Sequence, residues 1–194
     1  MRIEQLQLFT NKGSFDSFSF ESDSNNEIFK NLASSISDAF DVFSSHDISY
    51  FDKTCRSNML NNLVVKKVQE KCVDARFNFV ESLTNTRRSI GILDDTYIIL
   101  FKKSPVANVR TNQDDLIKNQ ELNKHVIFLT YQVDEFWSEL SKVEFQYFSS
   151  PGNVSYSYDI SHLLEESISK LITPMEDTPA VGLKKSAITK KKAQ

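Results

Sequence analysis

The chain has 194 residues, of which 40% are hydrophobic and 15 are phenylalanine, so it is long and apolar enough to form one domain with a substantial core. Its formal net charge of −3 excludes a basic field over the whole surface, although a local basic patch for nucleic acid stays open. No apolar run of about 18 residues is present, so no membrane-spanning segment is predicted.

The two ends of the chain differ in charge. Residues 1–50 contain eight acidic and three basic residues, whereas the last eleven residues contain five lysines and no acidic residue. We therefore expect an acidic, weakly ordered arm or short strands over residues 1–25, a single α+β domain over residues 26–173, and a flexible lysine-rich tail over residues 174–194.

Residues that hold metals or form disulfides are sparse in this chain. Cys55 and Cys72 would lie roughly 25 Å apart on one predicted helix, too far apart for a disulfide. The first residues also lack the apolar stretch of a signal peptide, so we expect a reduced, cytoplasmic protein. The three histidines are scattered, and neither CxxC, HExxH nor a glycine-rich phosphate loop is present, so no metal or cofactor is expected.

Apolar spacing predicts two long helices in the first half of the chain. Apolar residues recur every three or four positions over residues 27–44 and again from about Thr54 to Cys72. Asp52 or Thr54 suits the N-cap of the second helix. The apolar period then changes to two, which predicts a strand over residues 75–81.

The second half of the chain is predicted to consist mostly of strands. The predicted elements are, in chain order, a hairpin of Arg88–Leu93 and Thr96–Lys102 that turns at Asp94–Asp95, a short helix over 113–122, a central strand at His125–Val133, a turn of helix near Phe136–Leu140, a hairpin of Val143–Phe148 and Val154–Asp159, and a helix over Ser161–Ile172. Together they predict an α+β fold with a mostly antiparallel sheet flanked by helices.

From the second helix to the central strand, the predicted order of helix, three strands, helix and strand resembles the αβββαβ core of PD-(D/E)xK nucleases. The resemblance implies a divalent metal ion held by acidic residues beside a lysine on the third strand. Lys102 fits that lysine, but Leu100 stands where the family has a glutamate. The remaining acidic candidates are Glu70, Glu81, Asp94 and Asp95. An active nuclease would use Glu81, Asp95 and Lys102 with Mg²⁺, whereas a degenerate metal site would leave a protein that binds without catalysis.

A second resemblance rests on a short motif, in which an aspartate precedes Phe-Lys-Lys, then Asn-x-x-Thr, then a helix that ends in glutamine and a strand with a central tyrosine. The residues that carry it are Asp95, Phe101, Lys102, Lys103, Asn108, Thr111, Gln120, Leu129, Thr130 and Tyr131. The motif resembles a group of bacterial and prophage proteins that accompany helix-turn-helix regulators with metallopeptidase domains. This resemblance implies a component of a prophage, defence or toxin–antitoxin-like system.

Cations at one edge of the predicted sheet form the main candidate binding site. In an antiparallel hairpin, Arg87 and Arg88 at the start of one strand lie beside Lys102 and Lys103 at the end of the next. Together with Arg110 in the following loop, these cations would suit phosphate groups of nucleic acid. The alternative is that the charges only protect a sheet edge or return the chain to solvent.

Two further groups of residues have both a functional and a structural interpretation. Asn108, Thr111 and Gln120 belong to an amide-rich loop and helix that would contact a ligand, or in which Thr111 only caps the helix. The aromatic residues of the second hairpin would form either a stacking platform for single-stranded nucleic acid or core and cross-strand pairs. These aromatic residues are Phe145, Tyr147, Phe148, Tyr156 and Tyr158.

The sequence therefore favours a non-catalytic binding protein that contacts a protein partner and, as a second ligand, DNA or RNA. The alternative is a metal-dependent PD-(D/E)xK-like nuclease. A nuclease needs at least two carboxylates within reach of one metal ion, whereas a binding protein does not. No membrane partner is expected, because no apolar segment is long enough to span a bilayer.

Overall fold

The structure is a computed structural model that describes residues 15–80, 89–105, 124–150 and 153–164. Its elements are, in chain order, the helix α1 (Ser17–Phe20), a 3-10 turn (Asp23–Asn25), the helices α2 (Asn26–Ser44) and α3 (Lys53–Lys71), and the strands β1 (Phe77–Val80), β2 (Ile90–Leu93), β3 (Tyr97–Lys103), β4 (His125–Val133), β5 (Leu140–Ser150) and β6 (Asn153–Asp159). The predicted α+β class is confirmed.

The described strands form one sheet in which they lie in chain order from β1 to β6. Neighbouring strands are antiparallel, except that β3 runs parallel to β4, with Tyr97 opposite His125 and Lys103 opposite Tyr131. The carboxyl ends of β3 and β4 therefore meet at the same edge of the sheet. The connection between them includes residues 106–123, which lie outside the described residues, so the helix predicted there and the complete αβββαβ order stay predictions.

The helices α2 and α3 form where the apolar spacing predicted them, and both pack on one face of the sheet. The buried residues of α2 are Ile28, Phe29, Leu32, Ala33, Ser35, Ile36, Ala39, Phe40 and Phe43. At the start of α3, the Asp52 carboxylate accepts the Cys55 amide at 2.7 Å, and the helix buries Leu60, Val64 and Val68 at four-residue intervals. None of the described helices combines the length and apolar character needed to cross a membrane.

The sheet has two buried faces. The near face, covered by α2 and α3, carries the alternate side chains Tyr97, Ile99, Phe101, Ile127, Leu129, Tyr131, Val143 and Phe145. The far face carries a separate cluster of Ile90, Ile98, Leu100, Val126, Phe128 and Phe148. Because strand side chains alternate between faces, Lys103 lies on the near face with Phe101, and Lys102 lies on the far face with Leu100.

The hairpin of β2 and β3 turns at Asp94–Asp95, as predicted. Both aspartates have positive φ angles, 51° and 54°, and the Thr96 amide donates to the Leu93 carbonyl at 3.0 Å, which together define a type I′ turn. A β-carbon built on Gly91 of β2 would lie 2.7 Å from Cε2 of Phe77 and even closer to Cζ. Gly91 is therefore needed to let the Phe77 ring cross the strand.

The beginning of the described chain differs from the prediction. The alternation of Phe15, Phe18 and Phe20 suggested short strands or a weakly ordered arm, but the Asp16 carboxylate accepts the amides of Phe18 and Ser19 at 3.1 and 3.3 Å and starts a helical turn instead. Phe20 is fully buried in the core. The predicted arm is therefore helical and packed over residues 15–25, whereas residues 1–14 lie outside the described residues.

The segment between β4 and β5 also differs from the prediction. Residues near Phe136–Leu140 were predicted as a turn of helix, but they form a tight turn around the Asp134 side chain, and β5 already begins at Leu140. The carboxylate of Asp134 competes with helical hydrogen bonding because it accepts the local amides itself. The last predicted helix starts at residues 162–164, and both its remainder and the lysine-rich tail lie outside the described residues.

Candidate functional site

An open groove of about 640 Å³ lies where the carboxyl ends of β3 and β4 meet the beginning of α3. The parallel pairing of β3 and β4 places Lys103 and the turn after Val133 at the same edge. The first turn of α3 lies beside that edge and contributes Lys53 and Arg56 to the groove. The described residues that line the groove are Phe51, Asp52, Lys53, Arg56, Lys103, Val133, Asp134, Glu135 and Trp137.

Lys103, the last residue of β3, provides the central cation of the groove. Its Nζ lies 5.0 Å from the centre of the Trp137 ring, within the range of a cation–π interaction. Partial burial lowers the pKa of Lys103, and the nearby charge of Lys53 lowers it further. Among the described carboxylates, none lies within 4.0 Å of Lys103 or of Lys53. Within the part of the chain that the structure describes, no direct ion pair therefore neutralises these two lysines.

Arg56 adds a third cation on the first turn of α3. Its Nε donates to the Phe51 carbonyl at 2.8 Å, and its Nη2 donates to the Ser49 carbonyl at 3.3 Å. These bonds fix the loop before α3 and orient the guanidinium group. Both acceptors are neutral, so the charge of Arg56 is also without a carboxylate partner within the described residues.

The carboxylates that line the groove mostly serve the backbone around it. Asp52 caps α3, and Asp134 accepts the amides of Ser138 at 2.6 Å and Glu139 at 2.9 Å. Asp134 also accepts the Ser138 hydroxyl at 2.8 Å. The bond from the Glu139 amide, followed by those from Ser138 and Phe136, lowers the pKa of Asp134, so this carboxylate is charged at neutral pH. Glu135 is exposed at the groove.

Trp137 forms the apolar wall beneath Lys103. Its ring is 6% exposed and packs against Phe43 of α2 with ring centres 5.7 Å apart. Its φ angle is 62°, a left-handed conformation that costs a residue with a large side chain about 1 kcal/mol or more. The turn organised by Asp134 holds this conformation, and the strained backbone points the indole ring to the end of β3 rather than to solvent.

Exposed aromatic side chains surround the groove. Phe51 lines it and is 41% exposed, and its neighbour Tyr50 is 89% exposed. On the turn before β5, Phe136 is 81% exposed and lies in sequence between two lining residues, Glu135 and Trp137. Large exposed rings beside a groove are typical of protein interfaces, in which aromatic residues and arginine are enriched.

The structure separates the two lysines of the predicted cation cluster. Lys103 lies in the groove on the near face, whereas Lys102 lies on the far face, opposite Thr130 of β4. Arg87, Arg88 and Arg110 lie outside the described residues, as do the polar-loop residues Asn108, Thr111 and Gln120. Of the predicted cation cluster, the structure therefore describes only the two lysines, and only Lys103 belongs to the groove.

The residues of the alternative metal site do not converge where they are described. Asp95 lies at the turn before β3 and Lys102 near its other end, roughly 17 Å or more apart along an extended strand. Asp95 forms an ion pair with Lys124 at 2.7 Å, and Asp94 is bound by Arg76. Glu81 lies outside the described residues. Among the described residues, no group of three histidine, cysteine, aspartate or glutamate side chains could hold a metal ion.

Of the two interpretations of the aromatic residues on the second hairpin, the structure supports the core rather than the stacking platform. Phe145 and Phe148 are buried, and the ring of Phe15 stacks on Tyr147 with centres 4.5 Å apart. The Tyr156 hydroxyl donates to the Glu21 carboxylate at 2.7 Å. The N-terminal residues therefore occupy the surface that a nucleic-acid base would need, which corrects the platform interpretation.

Sequence analysis missed most of the groove. Lys53 and Arg56 are far from Lys103 in the chain, and no periodic pattern connects them. The signal that could have been found is local, because Asp52 as an N-cap places Lys53 and Arg56 on the first turn of α3. A similar signal was Asp134 followed by Ser138, a spacing that allows the side chain to organise a turn.

Comparison of the chain with protein-family models, with curated proteins and with solved structures finds no match. The proposals below therefore rest on the geometry of the groove.

Proposed function

We propose that the protein is a non-catalytic binding protein and that the groove at the end of β3 is the surface with which it holds a protein partner. The observation that carries the proposal is the combination of Lys53, Arg56 and Lys103, which have no carboxylate partner among the described residues, with the exposed rings of Phe51 and Phe136. Cations beside exposed aromatic rings supply both charge and apolar contact area to an interface.

The charge of the groove favours a protein over a nucleic acid. Its lining contains three basic residues and three acidic residues, so a chain of phosphates would meet as much repulsion as attraction. A protein segment can place one acidic group at the lysines and apolar groups at the rings. DNA or RNA therefore becomes an alternative outcome of the test. The prophage, defence or toxin–antitoxin setting stays a prediction of the motif resemblance.

Site-specific crosslinking in the cells that encode the protein tests this proposal. A photo-crosslinking phenylalanine analogue is placed at Phe136 beside the groove and, as a matched control, at Phe18 on α1, which is 90% exposed. We expect one defined protein to be crosslinked at position 136, to be absent at position 18, and to be lost when Phe51 is replaced by serine. Equal crosslinking at positions 136 and 18 would exclude the groove as the partner surface.

A second experiment can contradict the proposal. It measures binding of the purified protein to labelled DNA and RNA at two salt concentrations, with Mg²⁺ or with EDTA. Salt-sensitive binding that Lys103→Met weakens and Lys66→Met does not would replace the protein partner with nucleic acid. Lys66 is a suitable control because it is exposed on α3, several turns away from the groove. Metal-dependent cleavage of either nucleic acid would overturn the non-catalytic proposal in favour of the nuclease.

A further inference from the structure

We propose that the floor of the groove recognises a single carboxylate, the side chain of an aspartate or glutamate in an acidic segment of the partner, which Lys103 and Lys53 bind above the Trp137 ring. This inference rests on the proposed function and names the chemistry of the partner. It follows from three properties of the groove. Its cations are available, two of its three acids are committed to the backbone, and its apolar wall is rigid.

The first property is that two lysines, Lys53 and Lys103, line the same groove without a described counter-ion. Like charges repel each other, and the charge of Lys53 lowers the pKa of the partly buried Lys103. An incoming carboxylate between them would replace repulsion with two attractive contacts. The structural cost of holding the two lysines together is thus recovered when the ligand binds.

The second property is that the acids around the lysines limit the charge that the groove can accept. Asp52 and Asp134 cannot turn towards the lysines without breaking the cap of α3 or the turn before β5. Their charges remain beside the site and oppose a ligand with several negative charges. One carboxylate satisfies the lysines with the least repulsion, whereas a phosphate dianion or a polyphosphate backbone would not.

The state of Arg56 leaves ligand binding mainly to the two lysines. Recognition of carboxylate and phosphate groups commonly uses the planar fork of arginine, which binds two oxygens at once. In this protein, Nε and Nη2 of Arg56 already donate to the Phe51 and Ser49 carbonyls, so the fork formed by these two atoms is occupied. The lysines remain as point charges, which suit a monoanion held by one or two single hydrogen bonds.

The third property is that the wall beneath Lys103 is rigid. Trp137 is fixed by its strained backbone, by the Asp134 turn and by contact with Phe43. The ring is almost fully buried, and it keeps the Lys103 ammonium group in place at the groove. Exposed Phe51 gives the neighbouring residues of the partner segment an apolar contact.

Trp137 also makes the test direct, because it is the only tryptophan of the chain and its fluorescence reports the groove alone. The full-length protein is titrated with acetyl-Phe-Glu-Phe-amide, with the uncharged acetyl-Phe-Gln-Phe-amide, with inorganic phosphate and with a short single-stranded oligonucleotide. We expect a saturable change with the glutamate peptide and about tenfold weaker binding of the glutamine peptide, as for one charge-assisted contact.

Substitutions then assign the preference to the lysines. Lys103→Met is expected to abolish the preference for glutamate over glutamine, and Lys53→Met, at a more exposed position, to reduce it. Lys66→Met removes the same charge outside the groove and is expected to leave the preference unchanged. Lys53→Met also keeps the test decisive if Lys103→Met does not fold.

Three results would overturn the inference. They are equal binding of the two peptides, tighter binding of phosphate or of the oligonucleotide than of the glutamate peptide, and no fluorescence change with any probe. Crosslinking at position 136 is independent of these results. If it succeeds while the two peptides bind equally, the groove holds a partner by other contacts and only the carboxylate inference fails. If crosslinking is equal at positions 136 and 18, the proposed function itself fails.

Discussion

The two ends of β3 use charged side chains in opposite ways. At the turn before the strand, Arg76 holds Asp94 through two hydrogen bonds of 2.7 and 2.5 Å, and Asp95 pairs with Lys124. At the other end, Lys103 has an aromatic ring beneath it and no carboxylate partner within the described residues. Charges of the first kind hold elements together, whereas charges of the second kind are available to another molecule.

The N-terminal segment packs at the same end of β3 as the Asp94–Asp95 turn, which we call the turn end. Arg76 donates to the Ser24 carbonyl at 2.8 Å and to Oδ1 of buried Asn25 at 2.6 Å, and thereby ties the segment before α2 to the hairpin. At the groove end, the exposed rings of Phe51 and Phe136 stand beside open space. Within the described residues, the N-terminal segment therefore packs against one end of the sheet, whereas the other end carries the groove to which we assign a partner.

The largest expected effect concerns the packing of the turn end. Gly91→Ala would push a methyl group into the Phe77 ring, and we expect it to lower the free energy of unfolding by about 3 kcal/mol, as overpacking of a buried site does. Urea denaturation measures the change. Phe77→Leu in the same chain should recover part of the loss, and a Gly91→Ala loss below about 0.5 kcal/mol would show that the ring can move aside.

The second-largest expected change in the free energy of unfolding follows removal of the Arg76 charge. Arg76→Met leaves Asp94 without its partner and Asn25 without the donor to its buried oxygen, so we expect a loss of about 2 kcal/mol, reduced by the partial exposure of the ion pair. Lys66→Met, with the same change in charge, should cost almost nothing. A double-mutant cycle with Asp94→Asn should yield a coupling energy, and strict additivity would contradict the role of this pair.

Tyr156→Phe tests the other contact of the N-terminal segment. The lost hydrogen bond to Glu21 should cost about 1 kcal/mol at neutral pH. Burial, and then the bond to Glu21, raises the pKa of Tyr156 above its ordinary value of 10.0. Because the folded state keeps a proton that the unfolded state loses, this stabilisation is complete below pH 10 and is lost as the pH rises above it.

The measurement for Tyr156 is the free energy of unfolding between about pH 9 and pH 11. The native protein should lose stability more steeply over this window than the Tyr156→Phe variant. Burial raises the pKa of Tyr131 as well, so the variant should retain some decline. Parallel curves for the two proteins would show that the Tyr156 hydroxyl is equally solvated in both states.

The same comparison explains how far the sequence predicts this protein. The helices α2 and α3, the strand β4 and the turn at Asp94–Asp95 were all predictable, because each depends on neighbours within a few residues. The Asp94–Asp95 turn was identified as the junction of two apolar runs. The hydrogen bonds of Arg76 to Ser24 and Asn25 were not predictable, because they connect residues about fifty positions apart.

The helical start of the chain was missed for a different reason. The alternation of Phe15, Phe18 and Phe20 is compatible with a strand, but the Asp16 side chain satisfies the first amides and starts a turn of helix. At the groove, the predicted role of Lys103 in binding phosphate or nucleic acid stays a prediction. Trp137 reaches Lys103 through the parallel pairing of β3 with β4, and Lys53 through the packing of α3 on the near face, and the sequence pattern specifies neither.

The smallest expected effect on stability, at Lys103, is the sharpest test of the contrast between the two ends. Lys103→Met removes a partly buried charge and its repulsion with Lys53, and it also removes the contact with the Trp137 ring. These changes oppose each other, so we expect the free energy of unfolding to change by less than about 0.5 kcal/mol. Arg76→Met makes the same kind of replacement near the other end and should cost several times more. If Lys103→Met instead destabilised the protein by about 2 kcal/mol, Lys103 would be structural like Arg76 and would not be available to a ligand.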